Sequence, residues 1–320
     1  MIREDYPSGS AIGGYRVLEN LGVVGLAARY RVQAPDGTER TAGVLDVSNP
    51  EMVKQLRALP LVGFRHPNLV EVVDVTTAGR RTVLVTEVLR GVTLRQRLSE
   101  GPIPDELALA WMRGLLDGLA AAHERGIVHR DLRPETVLVD GNRVRILDLG
   151  VASAIVTLVS GGRSVTTSGT TVGRPHYWAP ERARRPLSAD ARSDLFSLGC
   201  IVYELFAGIG PFEGLNLYDC YHATLESRYP PLAERRRGLP PHVATFVSAL
   251  VRGRPEERPL SAEAARQILD GARTVPSLSS MPPAPLVVLP PRPSPRWPLV
   301  AGSLLAIAVL LGLIAAVLRR

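Results

Sequence analysis

Two acidic runs constrain what this chain can fold into: His129-Arg130-Asp131-Leu132-Arg133-Pro134-Glu135, and Asp148-Leu149-Gly150 with its aspartate seventeen residues further on. They fall after a strand-like region and inside a helical one. Tyr15-Arg16-Val17-Leu18-Glu19-Asn20-Leu21 reads as a strand entering a turn at Gly22-Val23-Val24-Gly25. Further strand signals lie at 43–47, 69–75 and 82–88, and a helical stretch at 50–59 separates the first of these from the rest. Gly91 then breaks the chain. From 105 to 123 the apolar residues Leu107, Leu109, Met112, Leu116 and Leu119 recur at helix spacing, with Gly126 past the end. Residues 193–206 are nearly all apolar, the pattern of a helix buried in the middle of a helical body. The expected fold class is α+β: a small β-rich lobe, a hinge at 87–91 and a larger helical lobe.

The formal charge of +7 is carried by arginine, since Lys54 is the only lysine. No basic run is interleaved with aromatics, so strand-binding nucleic-acid surfaces are excluded. Cys200 and Cys220 lack metal-ligand spacing and read as reduced, buried thiols of a cytosolic domain. The N-terminal residues have no apolar leader pattern.

Residues 299–318 are 20 positions without a charge, enough at about 1.5 Å rise to cross a hydrocarbon core of about 30 Å. Trp297 fits an interfacial anchor, and Arg296, Arg319 and Arg320 bracket the span. Before it, 276–298 holds nine prolines in 23 residues, the composition of an extended, semi-rigid spacer. The expected organisation is a domain at 1–272, a Pro-rich linker at 273–298, a transmembrane helix at 299–318 and a two-residue tail outside, with the domain in the cytoplasm. Ala308, Gly312 and Ala316 share one helix face, which would allow homodimerisation through the membrane.

The two acidic runs resemble the catalytic loop and the metal-binding loop of protein kinases. With His66-Pro67-Asn68-Leu69-Val70, Ala179-Pro180-Glu181, Ser193-Asp194-Leu195-Phe196-Ser197-Leu198-Gly199 and Arg254-Pro255-Glu256-Glu257-Arg258-Pro259, the chain is similar to the membrane-anchored bacterial Ser/Thr protein kinases over about 10–272. The resemblance implies a two-lobed kinase-like fold and Mg-ATP as cofactor. It implies Asp131 as the base, supported by His129 and Arg130, and Arg133 in place of a lysine beside the transferred phosphate. Asp148 and Thr136 would be the metal ligands, Thr136 standing where the family has Asn. Gly22 and Gly25 would hold the phosphates, Ala42 would line the adenine pocket, and the backbone of Glu87 and Leu89 would bond adenine. Glu181 would pair with Arg258, and Asp194 would anchor the catalytic loop.

Against that pattern the site is depleted. Val24 and Ala27 replace two glycines of the phosphate-binding turn, and Arg29 stands where an apolar residue would cover the adenine. Aligning Thr41-Ala42-Gly43-Val44 with the family's Val-Ala-x-Lys puts Val44 at the lysine position, and Arg57 replaces the glutamate that this lysine would pair with. Arg174 replaces a threonine and is placed to salt-bridge Asp131. These losses favour a pseudokinase that acts as a membrane-tethered scaffold or regulator of a cytosolic partner, such as an active kinase. The alternative is an atypical Ser/Thr kinase in which Arg29 or Arg57 supplies the missing cation. Ser164, Thr166, Thr167, Ser168, Thr170 and Thr171 are candidate phosphorylation sites, with Arg130 placed to receive a phosphate.

Overall fold

The computed structural model describes residues 6–45, 50–160 and 175–271. The linker, the 299–318 span, Arg174 and the Ser/Thr cluster at 164–171 lie outside the described residues. Among the described residues, no helix is long and apolar enough to cross a membrane.

The N-terminal lobe is a six-stranded antiparallel sheet. Its strands are β1 (Ala11–Ile12), β2 (Tyr15–Val24), β3 (Ala27–Gln33), β4 (Glu39–Leu45), β5 (Val72–Ala78) and β6 (Arg81–Thr86), and one helix, α1 (Pro50–Ala58), crosses from β4 towards β5. The order is β1-β2-β3-β4-β6-β5. Side chains alternate between two buried faces, as the period of two requires. Tyr30, Ala42, Val44, Val83 and Val85 share one small cluster. Ala27, Leu45 and Leu84 pack on the other face with Met52 and Leu56 of α1.

This alternation corrects two expectations. Neither Ala42 nor Val44 faces the cleft; the cleft-side positions of β4 are Gly43 and Leu45. A one-residue slip in β4 exchanges the faces of every side chain, and the pairing of Arg29 with Gly43 and Ala27 with Leu45 fixes which set faces inward. The helix expectation shifts likewise. Arg57 is exposed and donates Nε and Nη2 to the Val75 carbonyl, at 3.0 and 2.7 Å. It is turned away as a substitute cation, and the buried positions of α1 are Met52 and Leu56.

After the hinge come β7 (Val92–Thr93), α2 (Leu94–Ser99), α3 (Asp105–Glu124), β8 (Val137–Asp140) and β9 (Arg143–Ile146). Thr93 and Gln96 form a reciprocal capping box that starts α2. A further helix, α4 (Val151–Ser160), follows Gly150 directly. The rest of the lobe is α5 (Pro180–Arg184), α6 (Ala191–Ala207), α7 (Leu217–Leu225), α8 (Leu232–Arg235), α9 (Pro241–Leu250) and α10 (Ala262–Leu269). In α6 every residue from 193 to 206 is buried, and Gly208, at φ 73°, ends it in the left-handed cap. Arg258 grips Glu181 bidentately at 2.7 and 2.9 Å, tying α5 to the end of the domain.

Helix α4 was not anticipated. Its residues Val151, Ala152, Ala154, Ile155 and Leu158 are buried and pack against the N-terminal lobe's α1. At Gly150, φ is 78° and a Cβ would stand 2.8 Å from Leu59, so only glycine allows this turn.

Candidate active-site cleft

The two acidic loops are fixed by a carboxylate beneath them. Asp194 accepts the backbone N–H groups of His129 and Arg130, both at 2.8 Å, and Nε2 of His123 at 2.9 Å. Burial alone would push this carboxyl up, but the His123 hydrogen bond, the neighbouring histidines and the His129 amide hold it below the ordinary value. The bond to the Arg130 amide falls at a non-glycine residue of positive φ, 63°, and Asp148 of the second loop is another, at 60°. The His129 ring joins the loops, with Nε2 2.8 Å from the Leu147 carbonyl and Nδ1 accepting the Asp131 amide at 3.2 Å.

Asp131 is buried and its oxygens are occupied. Arg133 Nε lies 2.9 Å from Oδ2, and Arg182 Nη2 lies 3.1 Å from Oδ1. The Arg182 guanidinium stacks over Trp178 at 4.1 Å, and the Trp178 indole N–H also points at Oδ1, at 3.4 Å. Burial pulls the Arg182 guanidinium below its ordinary value while Asp131 opposes the shift; an arginine so placed stays charged at neutral pH. For Arg133, burial is outweighed by Asp131 and Glu135, and its value rises. Arg133 also meets Glu135 at 3.1 Å and donates to the Gly25 carbonyl at 3.3 Å, so it ties the loop to the opposite lobe. Arg95 of α2 continues the chain of charges, 3.1 Å from Glu135 and 2.7 Å from Glu204. Arg130 is bonded to the Ala189 carbonyl at 3.2 Å.

Asp148 is closed from above. Arg29 of β3 is fully buried and its Nη2 pairs with Asp148 Oδ1. The Leu26 amide donates to Oδ2 at 2.9 Å. Gly25, at φ 68°, packs so tightly that a Cβ would collide with Oδ2. Space for the Arg29 guanidinium exists because β4 carries glycine opposite it: a Cβ on Gly43 would stand 2.5 Å from Nη1. The glycine turn thus rests on the aspartate itself. Gly22, at φ 77°, lies in the exposed part of the hairpin with open space around it.

The hinge groups are also engaged from within. Leu89 N–H, which has a single proton to give, donates to Thr41 Oγ1 at 3.2 Å, and the Glu87 carbonyl accepts from Thr86 Oγ1 at 3.0 Å. The Glu87 side chain turns outward to Arg145 at 2.9 Å. Thr136 is buried and its hydroxyl is committed to the loop, accepting the Arg133 amide at 3.1 Å and reaching the Arg133 carbonyl at 3.0 Å.

A divalent metal does not fit this arrangement. Asp148 has a guanidinium on one oxygen and an amide on the other, and Thr136 serves the backbone. Among the described residues, no group of three or more His, Cys, Asp or Glu side chains is placed to hold a metal.

Asp131, Arg133, Thr136, Asp148 and Gly25 therefore meet in one cleft, with Glu87 and Leu89 at its hinge edge, while Ala42 lies on the far face and Gly22 at the rim. Thr41, Gly43 and Arg182 were missed. Arg182 directly follows Ala179-Pro180-Glu181 and had no periodic signal. The other two were obscured by the one-residue slip in β4.

The fold and these loops are those of the protein kinase family, and comparisons with known proteins agree. The family model "Protein kinase domain" matches residues 50–269, and the chain belongs to this family. The match begins beyond β4, downstream of the altered glycine turn. The Ser/Thr protein kinase PknL of Mycobacterium tuberculosis is 35% identical over 206 residues, 64% of this chain and 50% of PknL. PknB of the same organism is 36% identical over 202 residues, 61% of this chain and 32% of PknB. The aligned region thus spans half or less of these relatives. The crystal structure of the M. tuberculosis PknI kinase domain superposes with a TM-score of 0.64 at 21% identity, covering 84% of this chain and 100% of that one. That likeness speaks for the fold.

Proposed function

We propose that this chain is a pseudokinase of the Ser/Thr kinase family: a kinase-shaped module, tethered to a membrane by 299–318, that scaffolds or regulates a cytosolic partner. The observation that carries the reading is the state of Asp148, both of whose oxygens are held by groups of the opposite lobe. Phosphoryl transfer in this family relies on that carboxylate for metal and on a lysine, held by a glutamate, for the α- and β-phosphates. Here Leu45 and the buried α1 positions Met52 and Leu56 are apolar, and the guanidinium of Arg29 fills the space beneath Gly43. Both oxygens of Asp131 are paired with arginines, Arg133 on one and Arg182 on the other. The retained aspartates then serve as ion-pair partners that close the cleft.

Calorimetric titration of Mg-ATP into the full chain, with Asp148→Asn alongside, tests this. The expected result is no saturable heat at millimolar nucleotide. Saturable, magnesium-dependent binding that Asp148→Asn weakens would instead overturn the closed-cleft account and send the alternative, an atypical kinase that opens the cleft before turnover, to phosphotransfer assays.

A further inference from the structure

On the side of the hinge to which the Glu87 side chain turns, a groove of about 890 Å³ runs between the 65–71 segment, the hinge and the β8–β9 hairpin. Its size is that of a ligand site, but its walls are polar and charged rather than apolar. Four arginines line it, Arg65, Arg90, Arg143 and Arg145, against three acids, Glu71, Glu87 and Asp140. Two arginines are consumed locally. Arg65 lies 2.9 Å from Glu71, and Arg145 lies 2.9 Å from Glu87, whose other oxygen caps the Glu71 amide at 3.0 Å. These pairs stiffen the wall and neutralise two of its three acids, Glu71 and Glu87. Arg90, from the hinge, and Arg143, from the hairpin, are exposed and have no hydrogen-bond or ion-pair partner among the described residues. Asn142 adds an uncommitted amide between them and the turn.

We propose that this groove docks an acidic peptide segment of another protein, its Asp or Glu carboxylates paired with Arg90 and Arg143. An apolar helix would find nothing to bury here. Of the chain's own segments outside the described residues, 161–174 and 272–320 contain arginines and not one Asp or Glu, and 1–5 and 46–49 hold only Glu4, Asp5 and Asp46. A second molecule can present a longer run of carboxylates than these short segments, and it is the occupant proposed here. Arg90 and Arg143 flank Asp140: Gly91 packs against that residue's Cβ, and Arg143 is its cross-strand partner. The proposal names a partner chemistry for the scaffold reading and rests on it; a failure of that reading would appear in the Mg-ATP titration, not here.

The test is fluorescence anisotropy of labelled hexaglutamate with the full chain, at low and at physiological salt. Saturable binding is expected, weakening with salt and by about tenfold or more in Arg90→Glu/Arg143→Glu. The exposed Arg237→Glu variant, in the α8–α9 connection outside the groove, should bind as wild type, and thermal melts should confirm that each variant folds. No saturable binding, equal loss in Arg237→Glu, or binding confined to a carboxylate-free phosphoserine peptide would each overturn the assignment.

Discussion

At the residue scale, a catalytic aspartate and a structural one differ in what their removal does to stability. A carboxylate held ready for metal is a burden on the fold, and neutralising it commonly stabilises an enzyme. Asp148 here is paired with the fully buried Arg29. Converting it to Asn leaves an uncompensated guanidinium in the interior, a class of change that costs about 3–5 kcal/mol. Asp148→Asn should lower the melting temperature and the urea midpoint; an unchanged or raised midpoint would return Asp148 to the catalytic role. Asp194 supplies a second prediction. Its carboxyl titrates below the ordinary value of about 3.9, so its contribution is complete above that pH and fades as pH falls through the folded value. The stability gap between wild type and Asp194→Asn should therefore narrow below about pH 4. A gap constant from pH 6 to 3 in urea unfolding would refute this. Asp131, Asp148 and Asp194 were all legible in the chain because each sits in a run of contiguous motif residues. Arg182 was not, because its role depends on a fold that returns it to a loop 51 positions away.

Among the elements, the cross-strand pair of Arg29 and Gly43 shows how one substitution requires another. Facing positions on β3 and β4 share the cleft side of the sheet, and a guanidinium on one demands a missing side chain on the other. Gly43→Ala should cost about 1–3 kcal/mol through overpacking. In an Arg29→Val background the same change should cost almost nothing, a coupling that a double-mutant cycle reads directly. Additive effects would mean that the two residues do not share this space. The strand and helix positions of the lobe follow from periodicity, but the facing of β4 does not. Residues 42–45 are small or apolar, with no polar alternation to show which set faces inward, and only pairing with β3 decides it. Helix α4 was hidden for a related reason. Val151, Ile155, Val156 and Val159 are β-branched residues of modest helix propensity, and burial against α1 holds the helix in place.

For the whole molecule, the closed cleft and the apolar 299–318 stretch bear on different questions, and the second is open to a test that does not depend on the first. The scaffold reading needs the module to be concentrated at a surface, since a binding module without turnover acts only through where it is and what it holds. A 20-residue uncharged segment gains enough from transfer to hydrocarbon to stay inserted, and a central charge opposes this by about 2.5–3.5 kcal/mol. Gly312 lies near the middle of that segment. Expressed in bacteria, the full chain should remain in the membrane pellet through an alkaline carbonate wash, whereas a chain ending at residue 272 should be soluble. Gly312→Arg should shift a large share of the full chain into the wash. If the truncated chain pellets equally, the anchor would have to be sought on the folded lobes, and the membrane-tether reading of 299–318 would fall while the ion pairs of the cleft stood unchanged.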